Sequence, residues 1–398
     1  MANAPKHAPS TDALLASARR IASDWATQRH DRQRRRSLDK ADFDRLAEAG
    51  FLQLGVPVEH GGAFRGVAES TRPIAEILRT LAAGDASVAL VASMHPTIIY
   101  VGGWLAYPTA PAPYTEAWDE QRRFVFDTVM AGHWWGTITS EPGSGGDPMK
   151  TRSGATLEGN GAYRVSGQKH FGSGSGITSF MLTTAVPDGE DKPDVFVLDV
   201  RGVPWDGSRG MTLLSEWDGH GMIATQSHAM RFDEVPAVRC AWPGAFERDT
   251  PINPGFVTTL FTSVIVGIVD AAIEEARSKL APRRDALEAF ERVEWLRALR
   301  EAWLIDQAFE GMLRATEQEN GRNVTLAKTA VAELAESVTT RLCRVMGGGS
   351  YARHAPFGFW AQDVKALGFL RPPWAMADRM AYEEAFPTGK VSTQQEGC

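Results

Sequence analysis

The chain has 398 residues, of which 43% are hydrophobic and 23% are charged, so it is a folded protein too long for one compact core. Its formal net charge of -7 argues against a phosphate-binding surface and therefore against nucleic acid as a partner. The basic cluster at residues 32–36 is interpreted as a solvated helix end or turn. No metal site is predicted.

The cysteines and the apolar segments indicate the compartment. Cys240, Cys343 and Cys398 are too few and too far apart for a disulfide framework, which favours a reducing cytoplasm. The first residues lack the apolar stretch of a secretory signal, and the longest apolar run, Thr258–Ile268, is too short to cross a bilayer. We therefore predict a cytoplasmic protein without a membrane partner.

Residues 1–130 are predicted to form an N-terminal helical domain. Apolar residues recur there at helical spacing, as Leu14, Ala18 and Ile21 do. A later apolar run, Val88–Tyr100, has helical character but is interrupted by a His-Pro pair at residues 95–96.

Residues 131–245 are predicted to form a central β-barrel domain. Strand candidates begin at Tyr163, Ser179 and Asp194, and glycine-rich turns separate them. Short strands without long helices between them are typical of a barrel or a sandwich.

Residues 246–398 are predicted to form a helical bundle used for oligomerisation. Long amphipathic segments cover Phe256–Leu280, Ala286–Glu317 and Val324–Met346. The predicted fold class is α+β, with an N-terminal helical domain, a central β-barrel domain and a C-terminal antiparallel four-helix bundle.

Five segments resemble the motifs of one family, in the family's order and at its spacing. They are Gly50–Gly62 (GFLQLGVPVEHGG), Thr137–Asp147 (TITSEPGSGGD), Tyr163–Gly174 (YRVSGQKHFGSG), Trp217–His228 (WDGHGMIATQSH) and Phe232–Pro236 (FDEVP). On these motifs the chain is identified as a member of the acyl-CoA dehydrogenase superfamily. The resemblance implies that family's three-part fold, a flavin cofactor and an oxidoreductase activity.

The resemblance also implies flavin-contacting residues on two strands. By matching positions, Thr137, Thr139 and Ser140 line the flavin from one strand, and Phe171 and Ser173 line it from another. An isoalloxazine ring needs hydrogen-bond partners at its polar edge and a flat side chain against its face. The alternative interpretation is that the hydroxyl residues merely suit β-strands and that the aromatic ring is core.

Other matching positions imply contacts to the substrate and to the far end of the cofactor. Gly145 and Gly146 form a turn that allows close approach to a substrate. Arg344, Gly347 and Gly348 resemble the segment that contacts the dinucleotide end of FAD in a neighbouring subunit. The expected cofactor is FAD, with FMN as the alternative, and the expected assembly is a homotetramer or homodimer.

The proton-abstracting glutamate of the family is missing. Counting along the family pattern places Arg371 at its position, and an arginine cannot act as that base. Arg371 is therefore predicted to bind substrate instead. Glu383 and Glu384 are expected to be solvated, and Glu141 is expected to be structural.

Three functions remain open on the sequence. The first is oxidation of an acyl-CoA or a related small substrate, with an electron-transfer flavoprotein as partner. The second is oxygenation by reduced flavin from a separate reductase, for which His95 is the catalytic candidate, with His170 and His354 as further candidates. The third is a catalytically silent homologue that binds flavin or acyl groups.

Overall fold

The computed structural model describes residues 8–159, 161–244 and 254–386. The predicted domain boundary at 245/246 and the terminal Cys398 lie outside this range. The part before the barrel consists of helices, namely α1 (Thr11–Thr27), α2 (Arg29–Arg32), α3 (Lys40–Glu48), α4 (Val67–Gly84), α5 (Ala86–Val101) and α6 (Thr115–Met130).

Seven strands follow in the described chain: β1 (Trp135–Thr137), β2 (Gly154–Leu157), β3 (Tyr163–Gly172), β4 (Phe180–Pro187), β5 (Asp194–Asp199), β6 (Met211–Ser215) and β7 (His228–Arg239). Strand pairing runs β4–β2–β3–β7–β5 and returns to β4, so five strands close into a barrel. The strands β1 and β6 extend it by pairing with β4 and β7. The barrel interior is a separate apolar core that includes Ile138, Met181 and Phe196.

The part after the barrel is helical again. It contains α7 (Pro254–Leu280), α8 (Ala289–Glu317), α9 (Gly321–Met346), α10 (Phe357–Asp363) and α11 (Trp374–Ala385). Only α7, α8 and α9 are long, and α4 from the first segment packs against α7. The bundle therefore draws on both ends of the described chain, and one hydrophobic core runs from Leu14 to Leu367.

Helix α7 is long and apolar enough to cross a membrane by composition, but its side chains are almost all buried in the bundle. Helix α7 is therefore a core helix, and the apolar helix α5 belongs to the same core. Pro96 lies inside α5, and the helix continues through it. The interruption predicted at His95-Pro96 is therefore absent, because a buried helix surrounded by packing partners tolerates the missing N–H.

The basic cluster lies at the end of α2 and in the turn after it, as predicted, but two of its arginines are not solvated. Arg32 is buried and donates to Asp85 at 2.9 Å and to Asp42 at 2.7 Å. Arg35 pairs with the same two carboxylates. The sequence does not show these contacts, because Asp42 lies on α3 and Asp85 lies at the start of α5, so neither carboxylate is next to the cluster in the chain.

A buried carboxylate ties the bundle to the barrel. Asp363 at the end of α10 accepts a hydrogen bond from the Met222 N–H at 2.6 Å. Burial raises the pKa of Asp363 to about 7; the Met222 N–H opposes this shift and the nearby Asp85 adds to it. The turn before β7 is therefore held from the bundle side.

We expect Asp363 to make folding stability pH-dependent. The unfolded chain loses this proton near pH 3.8, whereas the folded chain holds it to about 7. Stability from the buried neutral form is complete below pH 3.8 and is lost as the pH rises through 7. Asp363→Asn keeps an acceptor for the Met222 N–H and cannot ionise. Its free energy of unfolding should gain on that of the wild type from about pH 4 to 7, by a few kcal/mol at most, and its thermal unfolding midpoint should rise with it.

Asp188→Asn serves as the control, because Asp188 is exposed on a turn of the barrel. Its unfolding midpoint should follow the wild type at every pH. If Asp363→Asn also follows the wild type, Asp363 is ionised in the folded protein and the proposed linkage is wrong.

Candidate active site

The predicted substrate and cofactor residues meet where the barrel faces the bundle. Arg371, in the segment between α10 and α11, donates from Nη2 to the Thr139 hydroxyl at 2.9 Å. The glycine turn also faces this segment, because a Cβ added to Gly146 would lie 3.2 Å from Pro373 Cγ. Gly145 beside it has open space on its side-chain face. Residues more than 200 positions apart in the sequence therefore form one site.

The end of β1 and the end of β3 lie side by side in this site. The His170 N–H donates to the Ser140 carbonyl oxygen at 2.8 Å, which fixes Thr139 and Ser140 beside Phe171. Thr137 is half-buried, and its hydroxyl donates to the Leu182 carbonyl at 3.0 Å. The five residues predicted to line the flavin are thus grouped on one edge of the barrel.

Phe171 is an exposed aromatic ring and not a core residue. Its side chain is 58% exposed, and its φ of 60° is rare for a residue with a bulky side chain. It lies at a bulge in the pairing of β3 with β7, where the strand register shifts between Lys169 and Gly172. A strained, exposed aromatic side chain on a rigid strand is typical of a ligand-binding surface.

Ser173 is buried and belongs to a chain of hydroxyl groups. Its Oγ lies 2.7 Å from the Ser227 Oγ, which lies 2.7 Å from the Thr225 Oγ1. The Thr225 hydroxyl donates to the Met222 carbonyl at 2.9 Å. Because that bond uses the Thr225 proton, Ser227 donates to Thr225 and Ser173 donates to Ser227. The Ser173 oxygen is left as an acceptor on the site.

Glu141 lies in the barrel wall and has a structural role. It accepts from Lys169 at 2.6 Å, from the Arg152 N–H at 2.7 Å and from the Ser153 hydroxyl at 2.7 Å, and it also contacts Thr151. Burial opposes its ionisation, but these donors, Lys169 foremost, lower the pKa of Glu141 to about 2. A carboxylate this well satisfied is not a proton acceptor for a substrate.

Arg371 is a cation held without an anionic partner. Burial lowers its pKa to about 10, and Asp147 opposes the shift from a distance. In the part of the chain that the structure describes, Arg371 forms no ion pair, and Thr139 is its side-chain hydrogen-bond partner. It therefore stays protonated at neutral pH and presents unused N–H donors at the junction.

Lys328 holds the Arg371 segment in place, and the sequence interpretation missed it. Its ammonium donates to the Pro372 carbonyl at 2.6 Å and to the Leu370 carbonyl at 3.2 Å. The signal was present, since Lys328 falls on the buried face of α9 at helical spacing from Val324 and Val331. A lysine on such a face needs buried acceptors, and the backbone carbonyls provide them.

His95 has no free ring nitrogen in this structure. It is fully buried; its Nδ1 accepts from the Trp135 N–H at 3.1 Å, and its Nε2 lies 3.1 Å from the Leu52 carbonyl. Burial lowers the pKa of His95 to about 3, although the Leu52 carbonyl favours the charged form. This placement supports the structural interpretation, and the catalytic one stays a prediction.

The remaining candidates lie elsewhere. Arg344 pairs with Glu294 at 3.2 Å and is mostly exposed, as are Gly347 and Gly348 just beyond it. Sixteen residues of helix separate Arg344 from Lys328, which corresponds to about 24 Å. Within one chain this group is therefore apart from the Arg371 site. The other residues, His354, Glu383 and Glu384, are exposed.

Comparison with known proteins identifies the family. Residues 8–105 match the N-terminal domain of acyl-CoA dehydrogenases, and residues 136–235 match the middle domain. Dibenzothiophene monooxygenase from Rhodococcus erythropolis is 28% identical over 285 residues, which cover 69% of this chain and 63% of that protein. The probable FMNH2-dependent monooxygenase SfnC from Pseudomonas putida is 27% identical over 281 residues, which cover 69% and 64%. The chain thus matches less than two thirds of the length of these two relatives.

A solved structure shares the fold over almost the whole chain. Nitrososynthase from Micromonospora carbonacea var. africana superimposes with a TM-score of 0.78 at 21% identity, covering 97% of this chain and 100% of that chain. Two family domains in sequence order, the closed barrel between helical parts and this superposition agree. The chain belongs to the acyl-CoA dehydrogenase superfamily of flavoproteins.

Proposed function

We propose that the protein is a flavin-dependent monooxygenase that uses reduced FMN supplied by a separate flavin reductase in the cytoplasm. The observation that carries this proposal is Arg371 at the barrel–bundle junction. Dehydrogenation of an acyl thioester requires a base for the α-proton, and a protonated guanidinium excludes that role at this position. Glu141 is held by Lys169, and Glu383 and Glu384 are exposed, so none of these carboxylates replaces the missing base.

The hydroxyl chain supports binding of the reduced cofactor. Reduced flavin carries an N–H at N5, whereas oxidised flavin has a bare nitrogen there. The Ser173 oxygen is an acceptor because its proton is used by Ser227, so it suits the reduced form. When bound, the flavin would supply the electrons for oxygen activation, and Phe171, Thr139 and Ser140 would hold its ring.

FMN is favoured over FAD by the placement of the predicted dinucleotide contacts. Arg344 is engaged with Glu294 about 24 Å along α9 from Lys328. FAD would therefore need a second copy of the chain to meet its adenosine end. The name of the relative SfnC, an FMNH2-dependent monooxygenase, agrees with FMN.

The test of this function asks whether an acyl-CoA reduces the flavin, and whether flavin reduced by a separate reductase supports oxygenation. FMN-loaded protein is mixed without oxygen with acyl-CoA thioesters of several chain lengths, and flavin absorbance is followed. We expect no bleaching, and we expect reduced FMN to bind about tenfold or more tightly than oxidised FMN. Dibenzothiophene and benzoate, each with a flavin reductase and NADH, serve as the neutral and the anionic oxygenation probe, and incorporation of labelled oxygen is measured by mass spectrometry. His95→Ala should leave the ratio of the two FMN affinities unchanged.

Two results would contradict the proposal. Anaerobic bleaching by an acyl-CoA shows a dehydrogenase with a displaced base. Failure to bind either FMN or FAD shows a silent homologue.

Phe171 should be an aromatic contact for the flavin ring. We expect Phe171→Ala to weaken FMN binding by about 2- to 12-fold, measured by quenching of flavin fluorescence, because a stacked aromatic pair contributes roughly 0.5–1.5 kcal/mol. Phe124→Ala is the matched control, since Phe124 is 48% exposed on α6. Equal FMN affinity of both variants would place the flavin elsewhere.

We further propose that the protein self-associates through α8. One face of this helix packs on the core through Ala298, Ile305, Phe309 and Met312. The opposite face exposes an apolar stripe, formed by Phe290, Val293, Leu296, Trp303 and Leu304. Exposed large apolar side chains on both sides of the exposed Arg300 favour an interface at this face.

Light scattering after size-exclusion chromatography tests the interface. The wild type should elute as a dimer or tetramer, and Trp303→Glu should reduce the mass, because it buries a charge in an apolar contact. Leu157→Glu is the control, since Leu157 is 56% exposed on the barrel. An unchanged mass for Trp303→Glu removes α8 from the interface.

A further inference from the structure

The Arg371 guanidinium has the features of an anion-binding group rather than of a structural one. A guanidinium has five N–H donors, and the described chain supplies one side-chain acceptor, the Thr139 Oγ1 at 2.9 Å. Two structural arginines have more acceptors than Arg371. Arg122 donates to the carbonyls of Trp104 and Pro108. Arg79 donates to Asp270 and Asp306 from three N–H groups. A desolvated guanidinium that leaves most of its N–H donors unused costs folding free energy, which a structural role does not explain.

The backbone of this segment is clamped, and the hydrogen bond to Thr139 holds the end of the side chain. Lys328 donates to the carbonyls on both sides of Arg371, those of Leu370 and Pro372. The Thr258 hydroxyl on α7 donates to the Arg371 carbonyl itself at 3.4 Å. Two prolines follow directly and restrict the chain further. Preorganisation of this kind lowers the entropy cost of binding a ligand.

Opposite the Arg371 segment lies an exposed glycine turn, which presents no side chain that would exclude a ligand. The turn across the junction is built of glycines, and a Cβ added to Gly145 would meet no atom within 4 Å. The Thr139 hydroxyl accepts from Arg371, so its own proton is available to a further acceptor. Arg371 and Thr139 therefore present N–H and O–H donors from the two sides of the junction.

We propose that Arg371 and Thr139 bind a carboxylate group of the substrate, so that the enzyme acts on an anionic organic acid. A carboxylate matches the guanidinium because two parallel N–H donors meet its two oxygens, and the Thr139 hydroxyl adds a third donor. Lys328 is a positioning residue that acts through the backbone of the Arg371 segment. That the bound anion is a substrate rests on the proposed monooxygenase function, whereas the existence of the anion-binding site does not.

Benzoate is the probe, with benzamide and benzyl alcohol as its neutral counterparts. Titration calorimetry on the FMN-loaded protein should show benzoate binding at least about tenfold tighter than either neutral compound. Arg371→Met should abolish this preference, and Arg371→Lys should retain part of it because the charge remains. Arg379→Met, an exposed arginine on α11, should bind benzoate as the wild type does.

Thermal unfolding separates ligand binding from a structural role. Without ligand, Arg371→Met should unfold at a higher temperature than the wild type, because it removes a desolvated charge. Benzoate should raise the midpoint of the wild type and not that of Arg371→Met. Lys328→Met should weaken benzoate binding while the preference for benzoate over benzamide persists, since the guanidinium is present but less well fixed. Loss of stability in Arg371→Met, with no effect of benzoate on the wild type, overturns the proposal.

Measuring FMN affinity and flavin bleaching alongside benzoate binding separates a failure of the anion-site proposal from a failure of the monooxygenase proposal. If Arg371→Met weakens binding of reduced FMN while benzoate still binds, the guanidinium faces the cofactor, and the substrate proposal is wrong although the monooxygenase stands. If an acyl-CoA bleaches the flavin while benzoate binding still depends on Arg371, the anion site stands and the monooxygenase proposal is wrong.

Discussion

The hydrogen bond between Arg371 and Thr139 is the point at which the barrel and the helical core form a common site. Its geometry depends on both partners being held rigidly. Thr139 follows β1, whose parallel pairing with β4 anchors it in the barrel. Arg371 is fixed from the opposite side by Lys328 and Thr258, which belong to α9 and α7. Loss of any of these supports would widen the junction, and a widened junction loses the close approach on which charge-assisted hydrogen bonds depend.

Further buried polar contacts fix the N-terminal helices among themselves and the bundle against the barrel edge. Arg32 and Arg35 join α3 and α5 through shared carboxylates, and Asp363 caps the turn that carries Met222. That turn also accepts the end of the hydroxyl chain from Ser173. The N-terminal helices, the bundle and the barrel edge are thus connected through buried polar contacts. These contacts cost desolvation, but they specify one relative placement of the parts, which apolar packing alone determines less sharply.

Periodicity was sufficient to predict most of the elements and insufficient to predict the site. The long helices and the strands at Tyr163, Phe180 and Asp194 follow from helical spacing and from alternation, because burial imposes both patterns. The closure of the barrel depends on pairing between β2 and β4, which no local pattern encodes. Motif matching grouped Thr139, Phe171 and Ser173 correctly on one edge. It did not show the clamp on Arg371, because hydrogen bonds from Lys328 to backbone carbonyls leave no trace in the identity of the accepting residues.

Two residues illustrate how local context overrides sequence pattern. Alternation along β3 treats Phe171 as an ordinary strand residue, but the bulge before Gly172 turns its ring into the open. His95 is a typical catalytic residue type, yet two backbone groups occupy its ring nitrogens. Residue type alone therefore does not show which of the two side chains has unused hydrogen-bonding groups. The physical distinction is whether the hydrogen-bonding groups of a buried side chain all have partners. A side chain whose groups all bond to the protein is structural, whereas one with unused donors at a cleft is suited to a ligand.

The same distinction explains how one fold supports different reactions. The barrel–bundle junction offers a fixed position opposite the predicted flavin edge, and the charge of the residue at that position determines what it does. A carboxylate there would remove a proton from a neutral substrate carbon, whereas a guanidinium attracts and orients an anion. The hydrogen bonds from α7 and α9 hold the backbone rather than the side chain. They therefore position the backbone of residue 371 whatever its side chain is. The architecture is therefore compatible with both chemistries, and the site rather than the fold decides between them.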